Sequence, residues 1–203
     1  YLGVIFDHNL NWRSHLSSAL KKVARKLGVL YRSFKLLNVP ARVAFVRSII
    51  QPDLDYCSSI WNDGSASISD RLQRIEKRCL RALDGRRGRE PTGNISPILA
   101  KFGPSTCKTR HAFYLGFLAH RGFYSLAPSE ICFRFEKADI SSTYGTRLSA
   151  SGVILSRPHT EALCRTFFYR AQCFWNLLGS SLRTISNRVV FRYRLRNYIC
   201  MLD

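Results

Sequence analysis

The chain has 203 residues, enough for one domain or two small ones around a buried core. At 46% hydrophobic it is not a disordered polypeptide. Its net charge of +19 argues against plain solubility charge and for an anionic partner: nucleic acid first, an acidic protein or membrane surface behind it.

Tyr1 opens a segment, YLGVIF, that reads as the middle of a buried strand and implies a chain starting inside a larger fold. No apolar run approaches the roughly 20 residues needed to span a bilayer, and no signal peptide is visible. The seven cysteines, at 57, 79, 107, 132, 164, 173 and 200, form no C-x-x-C pair. They read as buried thiols of a reduced intracellular protein. Cys107-x-x-x-His111 has the spacing of half a zinc site, but no second half follows.

Leu16, Leu20, Val23, Leu27, Leu30, Tyr31, Phe34 and Leu37 recur at helical steps and predict an amphipathic helix of about six turns. Asn38-Val39-Pro40 stops it, and Pro40 suits the first turn of a second helix. That helix is expected to turn Val43, Val46, Ile49 and Ile50 inward and Arg42 and Arg47 outward. Pro52 must kink or break it. Residues 53–61 are expected to resume it with Leu54, Cys57, Ile60 and Trp61 on one face. NDGSAS (62–67) reads as a loop, and Ser67-x-x-Asp70 as a capping box. A third helix over 69–83 buries Leu72, Ile75, Cys79 and Leu83, with Gly85 placed to end it.

GRRGREPTGN (85–94) is the best domain boundary. Beyond it, Ile98 to Phe102 reads as a turn or two of helix. An aromatic helix covers 105–125 and is ended by Ala127-Pro128, and 141–152 is a loop. VILSRP reads as a short strand, TFFYRAQCFWNLLG (166–179) is open between strand and helix, and a last helix runs over about 186–201. It points Phe191, Leu195 and Ile199 inward, and Arg188, Arg192, Arg194 and Arg196 mostly outward.

Between His8 and Pro52 lie nine Lys or Arg and no acid; from 71 to 89 lie eight more against Glu76 and Asp84. Same-sign helix faces cost stability unless an anion relieves them. Phosphate backbone does so, without reading sequence. The candidate nucleic-acid-binding residues are Lys21, Lys22, Arg25 and Lys26 on the first helix, and Arg71, Arg74, Lys77, Arg78 and Arg81 on the third.

Tyr1-Leu2-Gly3-Val4, Leu10-x-Trp12-x-x-His15, Pro52-x-Leu54-Asp55-Tyr56-Cys57, Trp61 and Leu72-Gln73-Arg74 stand in an order and spacing with a known counterpart. Farther on come FYSLAP, TRLSAS, Arg165-Thr166-Phe167, Trp175-Asn176-Leu177-Leu178-Gly179 and FRYRLRNYI. Together they resemble the region after the catalytic palm in non-LTR (LINE-type) retrotransposon reverse transcriptases, with jockey, CR1 and RTE-like elements nearest. Gly179 stands where that family has proline. The resemblance implies a mainly α fold with little β: the end of a palm strand at 1–7, a helical thumb-like bundle of three helices at 8–90, and a mostly helical tail at 91–203. It implies binding of template–primer duplex, or of RNA, alongside the remainder of the polymerase polypeptide, in cytoplasm and nucleus. No membrane role is expected.

PDLDY contains two carboxylates two apart, the arrangement with which polymerases and nucleases hold divalent metals. The resemblance implies otherwise. The family's metal-binding aspartates belong to palm motifs absent from this chain, which has no Ala-Asp-Asp. No catalytic residue, cofactor or metal ligand is therefore expected here; magnesium belongs with the palm, and the chain alone is expected to be inactive. Asp53 and Asp55 read as helix-start residues favouring the positive end of the resumed helix. Two alternatives stand beside this. One is a stand-alone basic helical module, domesticated or decayed, docking RNA or an acidic protein. The weaker one is an enzyme in its own right, for which Glu130, Glu136 and Asp139 are the only late acidic group.

Overall fold

A computed structural model of the protein describes residues 1–84, 106–137, 152–155 and 158–201. The expected mainly helical architecture is present: among the described residues the only β pairing is an isolated antiparallel bridge between Lys137 and Val153. The chain divides into two compact units, Tyr1–Arg110 and His111–Asp203. The readings at 85–94, Gly85 and Ile98 to Phe102, and nearly all of the 141–152 loop, lie outside the described residues.

The first unit begins with a correction. Residues 1–7 form no strand; Leu2 and Gly3 take positive φ, and Val4 N closes a turn onto Tyr1 O at 2.9 Å. A strand is stable only when a neighbour completes its ladder, and none adjoins it among the described residues. The turn still buries Val4. The Asp7 carboxylate then accepts the amides of Asn9 (3.1 Å) and Asn11 (3.0 Å), which shapes the entry into α1 (Arg13–Arg32). Trp12 sits in the left-handed region at φ 59°, a cost its burial offsets. Leu16, Ala19, Val23, Leu27 and Leu30 form the buried stripe of α1. The helix ends at Arg32 rather than reaching Leu37, so Phe34 and Leu37 follow it in turns.

Asn38 caps α2 (Val39–Phe45) by accepting Ala41 N at 2.9 Å, with Pro40 in the first turn as the sequence indicates. A π-helical turn, Val46–Ile50, then leads into α3 (Gln51–Asp55). Pro52 therefore does not break the helix. The wider turn just before it takes up the missing amide and the ring's clash with the preceding turn. The extra residue in that turn shifts the register: Val46 and Ile50 are buried, but Ile49, expected inward, is exposed. Arg42, expected outward, is half-buried; it donates to Leu83 O at 2.9 Å and lies over the Phe34 ring.

Residues 53–61 are not one helix. The chain leaves α3 at Tyr56, Cys57 takes φ 51°, and α4 (Ser58–Trp61) is a separate turn. This rotates the last turn so that Leu54 and Trp61 are buried, Cys57 is half-buried and Ile60 is exposed. Trp61 has no exposed surface and donates Nε1 to Tyr56 O at 2.6 Å. The capping box at Ser67 is not formed. α5 (Ala66–Leu83) starts earlier, and Asp63 instead accepts Ser65 N at 2.8 Å. α5 buries Leu72, Ile75, Cys79 and Leu83 as predicted, with Ile68 and Ala82.

The division between units falls inside α6 (Cys107–Phe123). The second unit adds α7 (Ser129–Cys132), α8 (Glu161–Cys164), α9 (Phe167–Leu177), α10 (Ser180–Arg183) and α11 (Arg188–Cys200). The ambiguous 166–179 segment is thus helical, with Thr166 accepting Tyr169 N as its cap. Its core gathers His120, Trp175 and Phe191, all fully buried, with Phe123 and Tyr124 around them. Of the strand expected at VILSRP, the described residues 153–155 and 158 show only the single bridge at Val153. Asn176 replaces a second strand there, donating to Val153 O at 2.8 Å and accepting Val153 N at 2.9 Å.

Candidate nucleic-acid interface

α1 is built from good helix formers around one apolar stripe, so its cations are forced to the flanks and the outer face. Two side-chain hydrogen bonds fix α5 beside it. Arg71 Nη2 donates to Ser17 Oγ at 2.8 Å near the start of both helices, and Tyr31 Oη donates to Arg78 O at 3.4 Å farther along both. Rising numbers match rising numbers, so α1 and α5 run parallel.

This pairing sorts the nine candidate residues. Lys21 and Arg25 are exposed on the outer side of α1. On α5, Arg74 and Arg78 are exposed and share one flank with half-buried Arg71, the flank that meets Ser17. Lys77 and Arg81 are half-buried farther round α5, where Arg81 Nε donates to Lys77 O at 3.2 Å. Lys22 is exposed but turns to the other side of α1, beside Pro52, Asp53 and Tyr56. Lys26 follows it and is occupied: its ammonium lies 2.6 Å from Asp53 and donates to Ile49 O at 2.9 Å. The geometry therefore brings Lys21, Arg25, Arg71, Arg74 and Arg78 together and separates Lys22 and Lys26 from them.

The sequence reading did not single out Arg13, Ser14, Ser17 and Ser18. With Lys21 they line an open cleft of about 420 Å³ along the first turns of α1. Hydroxyls and cations without a carboxylate are the donor set that phosphate oxygens accept from. The available signal was three serines at helical spacing on the side of Lys21 and Arg25.

Asp53 and Asp55 point to different partners. Asp53 meets Lys26, as above. Asp55 accepts Arg110 Nε on both carboxylate oxygens, at 3.0 and 2.8 Å, in a pair that is 11–12% exposed. Arg110 Nη2 also contacts Cys107 Sγ at 3.3 Å, and Glu76 accepts Cys107 N at 2.7 Å, a carboxylate at the positive end of α6. Burial, reinforced by the Glu76 charge, pushes the Cys79 thiol up to about 12 and that of Cys107 higher still. Both are protonated, unreactive core groups at neutral pH. No group of three or more His, Cys, Asp or Glu able to hold a metal exists among the described residues.

His15 backs the interface from inside α1. Its ring accepts Ile5 N at 3.3 Å and packs against Trp61 with centroids 5.6 Å apart. Burial, and then the charge of Lys22, lower its pKa, so it is a neutral packing group near pH 7 rather than a phosphate-binding cation. No described helix is long and apolar enough to cross a membrane. No family model, no curated protein and no solved structure matches this chain.

Proposed function

We propose that the chain is a nucleic-acid-binding region of a non-LTR retrotransposon reverse transcriptase, and that α1 and α5 hold duplex by its phosphate backbone. The observation that carries this reading is the parallel pairing of α1 with α5, which leaves Lys21, Arg25, Arg74 and Arg78 exposed on one side. α1 has no acidic residue, and α5 carries five cations against Asp70 and Glu76. Glu76 is taken up by α6, so it does not neutralise that side. Two parallel rods of like charge repel unless a polyanion lies along them, and duplex backbone supplies one charge per about 1.7 Å of axis. The contacts carry no base information, so binding is insensitive to sequence.

The test is a salt titration of duplex binding by the intact chain. Each phosphate contact on B-form DNA contributes about −0.9 to the log–log slope. Lys21→Glu with Arg25→Glu is expected to weaken binding and flatten the slope by roughly two contacts, equally across sequences. Lys26→Ala, a cation already held by Asp53, serves as the comparison and is expected to change little. Weakening that is the same at every salt concentration overturns the backbone reading.

A further inference from the structure

The last helix presents a second surface of different character. α11 buries only a narrow stripe, Phe191, Leu195 and Ile199. Its arginines at 188, 192, 194 and 196 are all exposed, none makes an ion pair among the described residues, and the helix has no acid of its own. Opposite the buried stripe stand Val189 and Tyr193, one helical turn apart and 71% and 67% exposed. Arg192 and Arg196 run along one flank of this ridge and Arg194 along the other. An apolar ridge so exposed is not explained by packing among the described residues of the unit.

We propose that this face of α11 binds single-stranded nucleic acid, with an unstacked base lying on the Tyr193 ring and the flanking arginines holding the phosphates on either side. The charge selects a polyanion. The ring selects among polyanions: in a duplex the base faces are already stacked on each other, whereas a single strand offers them freely, and every base has one. An acidic protein surface would satisfy the arginines equally well but would need only apolar area at position 193, not an aromatic face. The site lies wholly in the second unit, so it stands or falls independently of the duplex face on α1 and α5.

The test is fluorescence anisotropy of labelled oligo(rU) and oligo(dT) with the intact chain. It is repeated in the Lys21→Glu/Arg25→Glu background so that the first unit does not mask a loss. Tyr193→Ala is expected to weaken single-strand binding roughly ten-fold, the scale of one base–aromatic stack, and to leave duplex binding unchanged. Tyr193→Phe is expected to bind as the parent does, and Tyr193→Leu as weakly as the alanine variant. The side chain is exposed, so these variants keep the fold, and thermal melting checks that. Equal binding by the leucine and phenylalanine variants overturns the proposal, since it reduces the contact to apolar area. So does an equal loss on duplex, or no loss with Tyr193→Ala.

Discussion

Replacing Asp55 by alanine removes the carboxylate from Arg110, in a pair whose side chains are only 11% and 12% exposed. Arg110 keeps its charge at any accessible pH, so the variant retains a largely buried guanidinium without the carboxylate that accepts its Nε. Breaking a buried pair from one side costs about 3–5 kcal/mol, a large part of a domain's stability. Asp53→Ala, two residues earlier, breaks a pair whose lysine is 35% exposed, and solvent screening holds its cost to about 0–1 kcal/mol. Hydrogen-exchange protection of the α5 amides reads the stability of the first unit alone and separates the two variants. Asp55→Leu with Arg110→Met is expected to recover most of the loss, because an apolar pair fills the space with no charge left behind. If Asp55→Ala costs no more than Asp53→Ala, or the double replacement is as damaging as the single one, the structural role assigned to Asp55 is wrong.

Trp61→Ala removes a fully buried indole and its hydrogen bond to Tyr56 O, and urea denaturation is expected to show a loss of about 3–5 kcal/mol. His120 is buried in an aromatic cage, its Nε2 facing Ile185 O at 2.9 Å, and burial lowers its pKa despite that carbonyl. The unfolded chain therefore takes up a proton below about pH 6.5 that the folded unit refuses. Stability of the second unit is full above that pH and falls below it, and His120→Gln, which keeps an amide donor for the carbonyl, is expected to flatten this dependence in melts across pH 5–7. A Cβ at Gly122 meets the Phe135 ring at 2.5 Å, so Gly122→Ala is expected to cost about 1–3 kcal/mol by thermal melting, against the gain an alanine gives in an open helix.

Where a segment's behaviour depends on its own periodicity, the sequence alone determined it. The leucine and valine steps of α1, the Leu72–Ile75–Cys79–Leu83 stripe of α5 and the Phe191–Leu195–Ile199 stripe of α11 each define a face that only burial satisfies. The cations then fall outside whatever the helices pack against, which is why the basic character of α1 and α5 was legible from residues alone. The tertiary structure decided what depends on a partner distant in the chain. Residues 1–7 look like a strand, but a strand needs a neighbour, and here they form a turn. Ile49 and Ile60 continue an apolar pattern, yet the π turn before Pro52 and the positive φ at Cys57 rotate both to the surface. Asp53 and Asp55 are indistinguishable in PDLDY, because charge and spacing carry no information about what stands opposite. Lys26 lies 27 positions before Asp53 and Arg110 lies 55 after Asp55, and only the packing of α1, α3 and α6 brings each to its carboxylate. The same limit separated Lys22 and Lys26 from Lys21 and Arg25: four neighbouring cations on one helix face different ways, and the chain beside each one decides whether it is held or left free.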